Sequence, residues 1–229
     1  HLRHPDDLWF GFSQRARIIF YDKQDVAEPP QTYAELADPR WEGKVCTRSG
    51  SNIYMLSLLA SRIAHDGEEA ATQWAQGLWD NRARDPQGGD TDQLRAIVSG
   101  ECEVVVANTY YFARALRTEV DGVSAHVDRI GWVFPDQNGN GAHMNVSAGA
   151  MAAHAPHPDA AKAFLEYLAS DSAQAYFSNG NDEFPAVEGV ALAPSAEQLG
   201  EFKADELNLA ELGRNQARAQ MIYDSVGYE

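Results

Sequence analysis

Short apolar runs alternate with longer amphipathic segments along this 229-residue chain. Runs of strand length include "ARIIFYD", "KVCTRS", "CEVVVAN" and "RIGWVFP". Between them, "IYMLSLLASRIAHDG", "GEEAATQWAQGLWDNR", "TDQLRAIVSG" and "YYFARALRTE" repeat apolar residues at helical spacing, and glycine ends several of these segments. Strands that alternate with helices predict an α/β fold, with a mostly parallel sheet covered by helices on both faces.

The last hundred residues continue the pattern with weaker signals. "MNVSAGAMAA" predicts a strand of small residues, "HPDAAKAFLEYLASDSAQAYFSNGN" predicts two helices, and the acidic tail predicts one or two more. Two cysteines, Cys46 and Cys102, each open a predicted strand. A disulfide between neighbouring strands and two buried thiols that pack as small apolar groups are both compatible with that placement.

Composition and charge narrow the possible partners. The chain is 44% hydrophobic, as expected of a globular protein, and its formal net charge is −16. A charge of that sign argues against binding to nucleic acid and to anionic membrane surfaces. The apolar runs are also too short to span a bilayer.

Three strand-to-helix turns collect the residues with candidate chemistry. In open α/β sheets, ligands bind beyond the carboxyl ends of the strands, where helices begin. The turns are "TRSGSNIY", "DPQGGDTDQ" and "ANTYYFAR". Their predicted helix caps are Ser51 or Asn52, Asp90, and Asn108 or Thr109. Their first helical turns hold three phenols, Tyr54, Tyr110 and Tyr111.

Three phenols at one level of the sheet indicate a hard cation. Ionising a phenol of pKa about 10 at neutral pH costs about 4 kcal/mol, more than a helix N-terminus supplies. A bound cation of high charge can supply it, and phenolate oxygen is a hard donor that suits ferric iron. Ordinary packing, with each ring half-buried and its hydroxyl solvated, is the alternative interpretation of these tyrosines.

Five motifs resemble the periplasmic ferric-iron-binding proteins of ABC transporters, in the order of that family. They are "WFGFSQRARIIFYDK", "RSGSNIYMLSLLASRIAHDGEEAA", "PQGGDTDQLRAIVSGE", "VVVANTYYFARAL" and "FPDQNGNGAHMNVSAGA", and the similarity as a whole runs from about residue 5 to residue 190. The resemblance implies that Tyr110 and Tyr111 are phenolate ligands of Fe3+ and that Tyr54 completes a tyrosine cluster. It also implies a periplasmic, monomeric substrate-binding protein that delivers iron to an inner-membrane permease.

The resemblance further implies an anion, carbonate or phosphate, beside the iron. Arg15 and Arg17 fall on one face of a predicted strand in the region that supplies the family's anion-binding arginine, and a planar guanidinium suits an oxyanion. Ser49, Gly50 and Asp90 match the family's anion-facing turns. Some relatives have a neutral amide where this chain has Asp90, and either arginine could instead form a surface ion pair.

The family's two-lobed fold implies a division of the chain. Residues 26–131 resemble a complete second lobe, residues 1–25 a hinge strand with a remnant of the first lobe, and residues 132–229 a return hinge strand with first-lobe and C-terminal helices. The expected architecture is thus two lobes joined by hinge strands, with the first lobe incomplete. The family's opening segment, which contributes a further histidine or tyrosine ligand, has no counterpart here, so we expect weaker iron binding than in a complete member.

Two other functions remain compatible with the sequence. The same fold could bind a non-metal anion or a polyamine, with the tyrosines stacking or forming hydrogen bonds. An enzyme could use Tyr110 or Tyr111 as a general acid or base, although no second titratable group is placed to relay a proton. We therefore expect a non-catalytic receptor.

Overall fold

The computed structural model describes residues 2–228, in which β-strands and α-helices form a mixed α/β fold. The strands are β1 (Phe10–Asp22), β2 (Val45–Cys46), β3 (Val104–Asn108), β4 (Ile130–Val133), β5 (Met144–Gly149) and β6 (Phe184–Pro185). The helices are α1 (Ile53–Asp66), α2 (Glu68–Asp80), α3 (Asp90–Ser99), α4 (Thr109–Arg117), α5 (Pro158–Leu168), α6 (Asp171–Asn181), α7 (Pro194–Glu197) and α8 (Ala210–Ser225).

The long strand β1 organises the whole sheet. Its carboxyl half pairs with β3 and β4, and its amino half pairs with β5 and β6, in every case antiparallel. Of the strand pairs within residues 2–228, β2 and β3 are the pair that runs parallel. The expectation of a mostly parallel sheet is therefore wrong, because one strand that crosses the molecule runs opposite to its partners.

Two hydrophobic cores lie on opposite faces of this sheet. Side chains alternate between the faces of a strand. In β1, Ile18 and Phe20 enter the core built with α3 and α4, whereas Ile19 enters the core built with α1, α2 and α8. In β3, Val105 packs in the first core and its neighbours along the strand pack in the second. Helices on both faces, as predicted, explain why β3 is apolar at successive positions.

Three helix ends follow the signals in the local sequence. Gly67 ends α1 with φ 84°, and Gly100 ends α3 with φ 74°, in conformations that favour glycine. Asn52 caps α1 by accepting a hydrogen bond from the Tyr54 N–H at 3.0 Å. The predicted cap of α3 is wrong: Asp92, rather than Asp90, accepts from the Gly89 N–H at 2.7 Å.

The two cysteines form a disulfide in the structure. Cys46 and Cys102 have a Cα–Cα separation of 5.8 Å and are both buried. The bridge joins the strand β2 to the residues that lead into β3, so it ties together the two parallel strands. Of the two possibilities left by the sequence, the structure adopts the bridge.

The helix α8 packs against the second hydrophobic core through Ala219, Ile222 and Tyr223. It packs along α1, and Tyr223 beyond its midpoint is fully buried in the same core as α1 and α2. Within residues 2–228, no helix combines the length and the hydrophobicity needed to cross a membrane. The division into segments 1–25, 26–131 and 132–229 stays a prediction.

Candidate metal site at the carboxyl ends of two strands

The three tyrosines lie where two neighbouring strands end. Because β2 and β3 are parallel and adjacent, their carboxyl ends meet at one edge of the sheet. Tyr54 follows β2 in the first turn of α1, and Tyr110 and Tyr111 follow β3 in the first turn of α4. The parallel pairing thus brings together residues that are 56 positions apart in the sequence.

The hydroxyl groups of Tyr54 and Tyr110 are neighbours. Their oxygen atoms are 3.4 Å apart, a loose hydrogen bond. The rings of Tyr110 and Tyr111 stack with centroids 4.1 Å apart and planes inclined by 30°. All three side chains are partly exposed. The rings of the two adjacent tyrosines therefore lie side by side at the start of α4, next to the Tyr54 hydroxyl.

The surroundings keep Tyr110 protonated when no cation is present. Burial raises the pKa of Tyr110 well above its ordinary value of 10.0, and hydrogen bonds with Tyr111 and Tyr54 raise it further. Neighbouring phenols disfavour ionisation of one another because each phenolate would repel the next. Tyr110 therefore requires a strong positive charge nearby to ionise.

Three guanidinium groups surround the ring of Tyr54. The Cζ atoms of Arg15, Arg17 and Arg48 lie 5.6, 5.7 and 5.5 Å from the ring centroid. Arg15 and Arg17 share a face of β1, as the sequence predicts. Arg48 was not singled out in the sequence, although its place at the carboxyl end of β2 is the signal that could have identified it.

Arg17 and Asp90 form a buried ion pair behind the tyrosines. Both side chains have no exposed surface, and the Arg17 Nη1 lies 3.1 Å from the Asp90 Oδ2. Arg17 also donates to the Asn108 side chain at 3.2 Å and to the Val106 carbonyl at 3.1 Å. Asp90 in turn accepts from the Asn108 N–H at 2.8 Å. Asn108 occupies the N-cap position of α4, but its side chain is engaged by Arg17 rather than by the helix.

Two more of the predicted residues also have partners within the protein. Arg15 donates to the Ser147 hydroxyl at 2.6 Å and lies 3.6 Å from the Glu183 carboxylate. The Ser49 hydroxyl lies 2.8 Å from that of Ser51.

Gly50 packs closely against residues near the C-terminus. A Cβ atom at this position would lie 2.5 Å from the Tyr228 carbonyl oxygen, so only glycine allows the C-terminal residues to approach this closely. Glycine at position 50 therefore lets the turn before α1 pack against Tyr228.

The comparisons define the class of the protein. Residues 1–204 match the family described as bacterial extracellular solute-binding protein, and the chain belongs to this family. It is 45% identical, over its whole length, to the iron uptake proteins A2 and A1 of Synechocystis sp.. A structure of the Trichodesmium FutA protein, described as in complex with iron and citrate ligands, is 44% identical with a TM-score of 0.94 and covers 100% of this chain.

The relatives are longer than this chain. It spans 67% of iron uptake protein A2, 64% of iron uptake protein A1 and 72% of the Trichodesmium chain. Over the residues that match, this chain has the same mixed α/β fold as the Trichodesmium structure.

Proposed function

We propose that this chain captures ferric iron through the hydroxyl oxygens of Tyr54, Tyr110 and Tyr111. It would act as the periplasmic substrate-binding component of an ABC transporter and pass the iron to an inner-membrane permease. The observation that carries the proposal is the convergence of three phenols in two helical first turns, with the Tyr54 and Tyr110 oxygens 3.4 Å apart.

The chemistry of the cluster favours a metal over an organic ligand. The neighbouring phenols do not stabilise the ionised form of Tyr110, since burial and repulsion between phenolates raise the pKa of Tyr110. Ferric iron would stabilise the ionised phenols, because three phenolates balance its three charges and match its preference for hard oxygen donors. The named relatives that match this chain are iron uptake proteins, which supports the same ligand.

The role is that of a receptor, with iron as its cargo. We infer that a small oxyanion accompanies the metal, since three guanidinium groups surround Tyr54. Arg15 is the more accessible of the two arginines predicted for that anion, because Arg17 is fully buried against Asp90. Ser49 would border the anion from the turn before α1, Gly50 would let the residues near the C-terminus pack behind that turn, and Asp90 would act through Arg17.

A visible spectrum tests the proposal. Ferric citrate added to the purified chain should produce a charge-transfer absorption band from phenolate to iron. Replacing Tyr110 by Phe keeps the ring and removes one ligand oxygen, so the band should disappear or weaken strongly. A receptor for a non-metal anion, or an enzyme that uses a phenol as an acid, would remain colourless.

Tyr167→Phe is the matched control. Tyr167 lies on α5 with 54% of its surface exposed, so the same loss of a hydroxyl should leave the band intact. Thermal unfolding should be nearly unchanged in both variants, because each retains its ring. If Tyr110→Phe bound iron as tightly as the parent protein, the tyrosine cluster would not be the iron site.

A further inference from the structure

Ser57 connects the helix that carries Tyr54 to the strand β5. It lies one turn beyond Tyr54 on α1, and 7% of its surface is exposed. Its hydroxyl donates to the Asn145 Oδ1 at 2.8 Å and lies 3.1 Å from the Tyr54 carbonyl oxygen. Because Asn145 belongs to β5, this hydrogen bond joins two segments that are 88 positions apart in the sequence.

His143 holds the same hydroxyl from a second side. Its Nε2 lies 3.1 Å from the Ser57 Oγ, and it acts as the donor, because the hydroxyl hydrogen is directed to Asn145. Burial, together with the positive charge of Arg17, lowers the pKa of His143 to about 3, so the ring is neutral near neutral pH. This hydrogen bond therefore does not depend on pH in the range where iron binding is measured.

His143 is itself held where β1 changes its partners. At Arg17 the pairing of β1 passes from β5 to β3. The Arg17 N–H donates to the His143 carbonyl at 2.9 Å, and the His143 N–H donates to the buried Tyr33 hydroxyl at 2.9 Å. The Tyr33 hydroxyl donates in turn to the Arg17 carbonyl. Ser57 is therefore anchored to a part of the sheet that several backbone hydrogen bonds keep in place.

The bond between Ser57 and Asn145 also bears on the surroundings of the Tyr54 ring. Asn145 lies opposite Arg15 in the pairing of β1 with β5, and the Arg15 guanidinium carbon is 5.6 Å from the Tyr54 ring centroid. Within residues 2–228, no other side-chain hydrogen bond joins α1 to β5, and the Asn145 Nδ2 is buried without a partner. Loss of the Ser57 hydroxyl would therefore leave the first turns of α1 without a hydrogen bond to β5.

We propose that Ser57 is a positioning residue for the iron site, which holds Tyr54 in place through its hydrogen bonds with Asn145 and His143. This inference rests on the proposed function, in which Tyr54 is a ligand. The side chains of a binding site must be held within about 0.5 Å of their binding geometry, and hydrogen bonds outside the ligand set supply much of that constraint. Ser57 does not contact the iron itself and acts through the backbone of α1.

Iron affinity measured at a fixed excess of citrate tests the role of Ser57. Ser57→Ala removes the hydroxyl, so the ferric iron concentration that half-saturates the charge-transfer band should rise about tenfold. The variant retains every phenol of the cluster, so at saturation it should release as many protons per iron as the parent, whereas Tyr54→Phe should release about one fewer. Asn145→Ala deletes the same hydrogen bond from β5 and should weaken binding by a similar factor. The double variant should bind iron about as tightly as either single variant, because both changes remove the same interaction.

Ser61→Ala is the matched control. Ser61 is buried one turn further along α1, and its hydroxyl donates to the Leu58 carbonyl at 2.7 Å, with no partner outside the helix among the hydrogen bonds of residues 2–228. Loss of a buried hydrogen bond should lower the thermal stability of both serine variants, but Ser61→Ala should bind iron as the parent does. Ser57→Thr keeps a hydroxyl and should bind iron nearly as tightly as the parent.

The outcomes separate the two proposals. If Ser57→Ala half-saturates at the same iron concentration as Ser61→Ala, Ser57 serves stability alone, and its positioning role is overturned while iron capture stands. Where Ser57→Ala does not fold, the same comparison with Asn145→Ala decides the question. Effects of the two single changes that multiply in the double variant would also overturn the role, because the residues would then act independently. A parent protein that shows no band with ferric citrate overturns iron capture, and the role of Ser57 with it.

Discussion

Iron binding by the tyrosine cluster should release protons, and the number of protons released per iron can be measured. A phenol has an ordinary pKa of about 10, and burial together with the neighbouring phenols raises the pKa of Tyr110 further, so this hydroxyl is neutral at pH 7 when no metal is bound. As ligands, all three must be phenolates. Binding should therefore release about three protons between pH 6 and 8.

The energetic cost of this ionisation is large. Removing a proton from a phenol of ordinary pKa at pH 7 costs about 4 kcal/mol, so three phenols cost about 12 kcal/mol, and the raised pKa of Tyr110 adds to that sum. Protons compete with iron for the phenolate oxygens, so the apparent affinity for iron falls as the pH falls. Each released proton weakens binding about tenfold for each pH unit of acidification, and three protons weaken it about a thousandfold.

Proton release per iron bound can be measured by titrating unbuffered protein with ferric citrate in a pH-stat. The citrate and hydroxide that leave the iron take up protons equally in every variant, so the difference between variants counts the phenols. Tyr54→Phe should release about one proton fewer than the parent, since one phenol is gone. Tyr167→Phe should release as many as the parent. Equal release by the parent and by Tyr54→Phe would refute the phenolate site, because the Tyr54 phenol would then lose no proton on binding.

Two further predictions concern the scaffold of the site. Asp90→Asn leaves the fully buried Arg17 without its carboxylate, so the free energy of unfolding should fall by about 3–5 kcal/mol in a urea titration, and a fall below about 1 kcal/mol would contradict a structural role for this pair. Replacing both cysteines by serine opens a loop of 56 residues, which should lower the free energy of unfolding by about 4 kcal/mol at most, and thiol titration of the unreduced, unfolded parent should find no free sulfhydryl.

Much of the fold can be predicted from local sequence. The amphipathic spacing of α1, α2 and α3 gives their extents within a few residues, and Gly67 and Gly100 mark two of their ends. The placement of Tyr54, Tyr110 and Tyr111 in first helical turns is likewise local, because it depends only on where a strand ends and a helix begins. These features follow from interactions between residues a few positions apart.

Strand direction and charge pairing were decided by the tertiary structure. Hydrophobic periodicity carries no information on whether β1 runs parallel or antiparallel to β3, and the antiparallel pairing sets Arg17 opposite Asn108. That register in turn lets Arg17 reach Asp90, 73 positions away, and removes Asp90 from the helix cap that the local pattern predicts. The position of Arg48 beside Tyr54 and Asp90 arises in the same way. In the sequence this residue is only an arginine in a turn, because its neighbours in space come from distant segments.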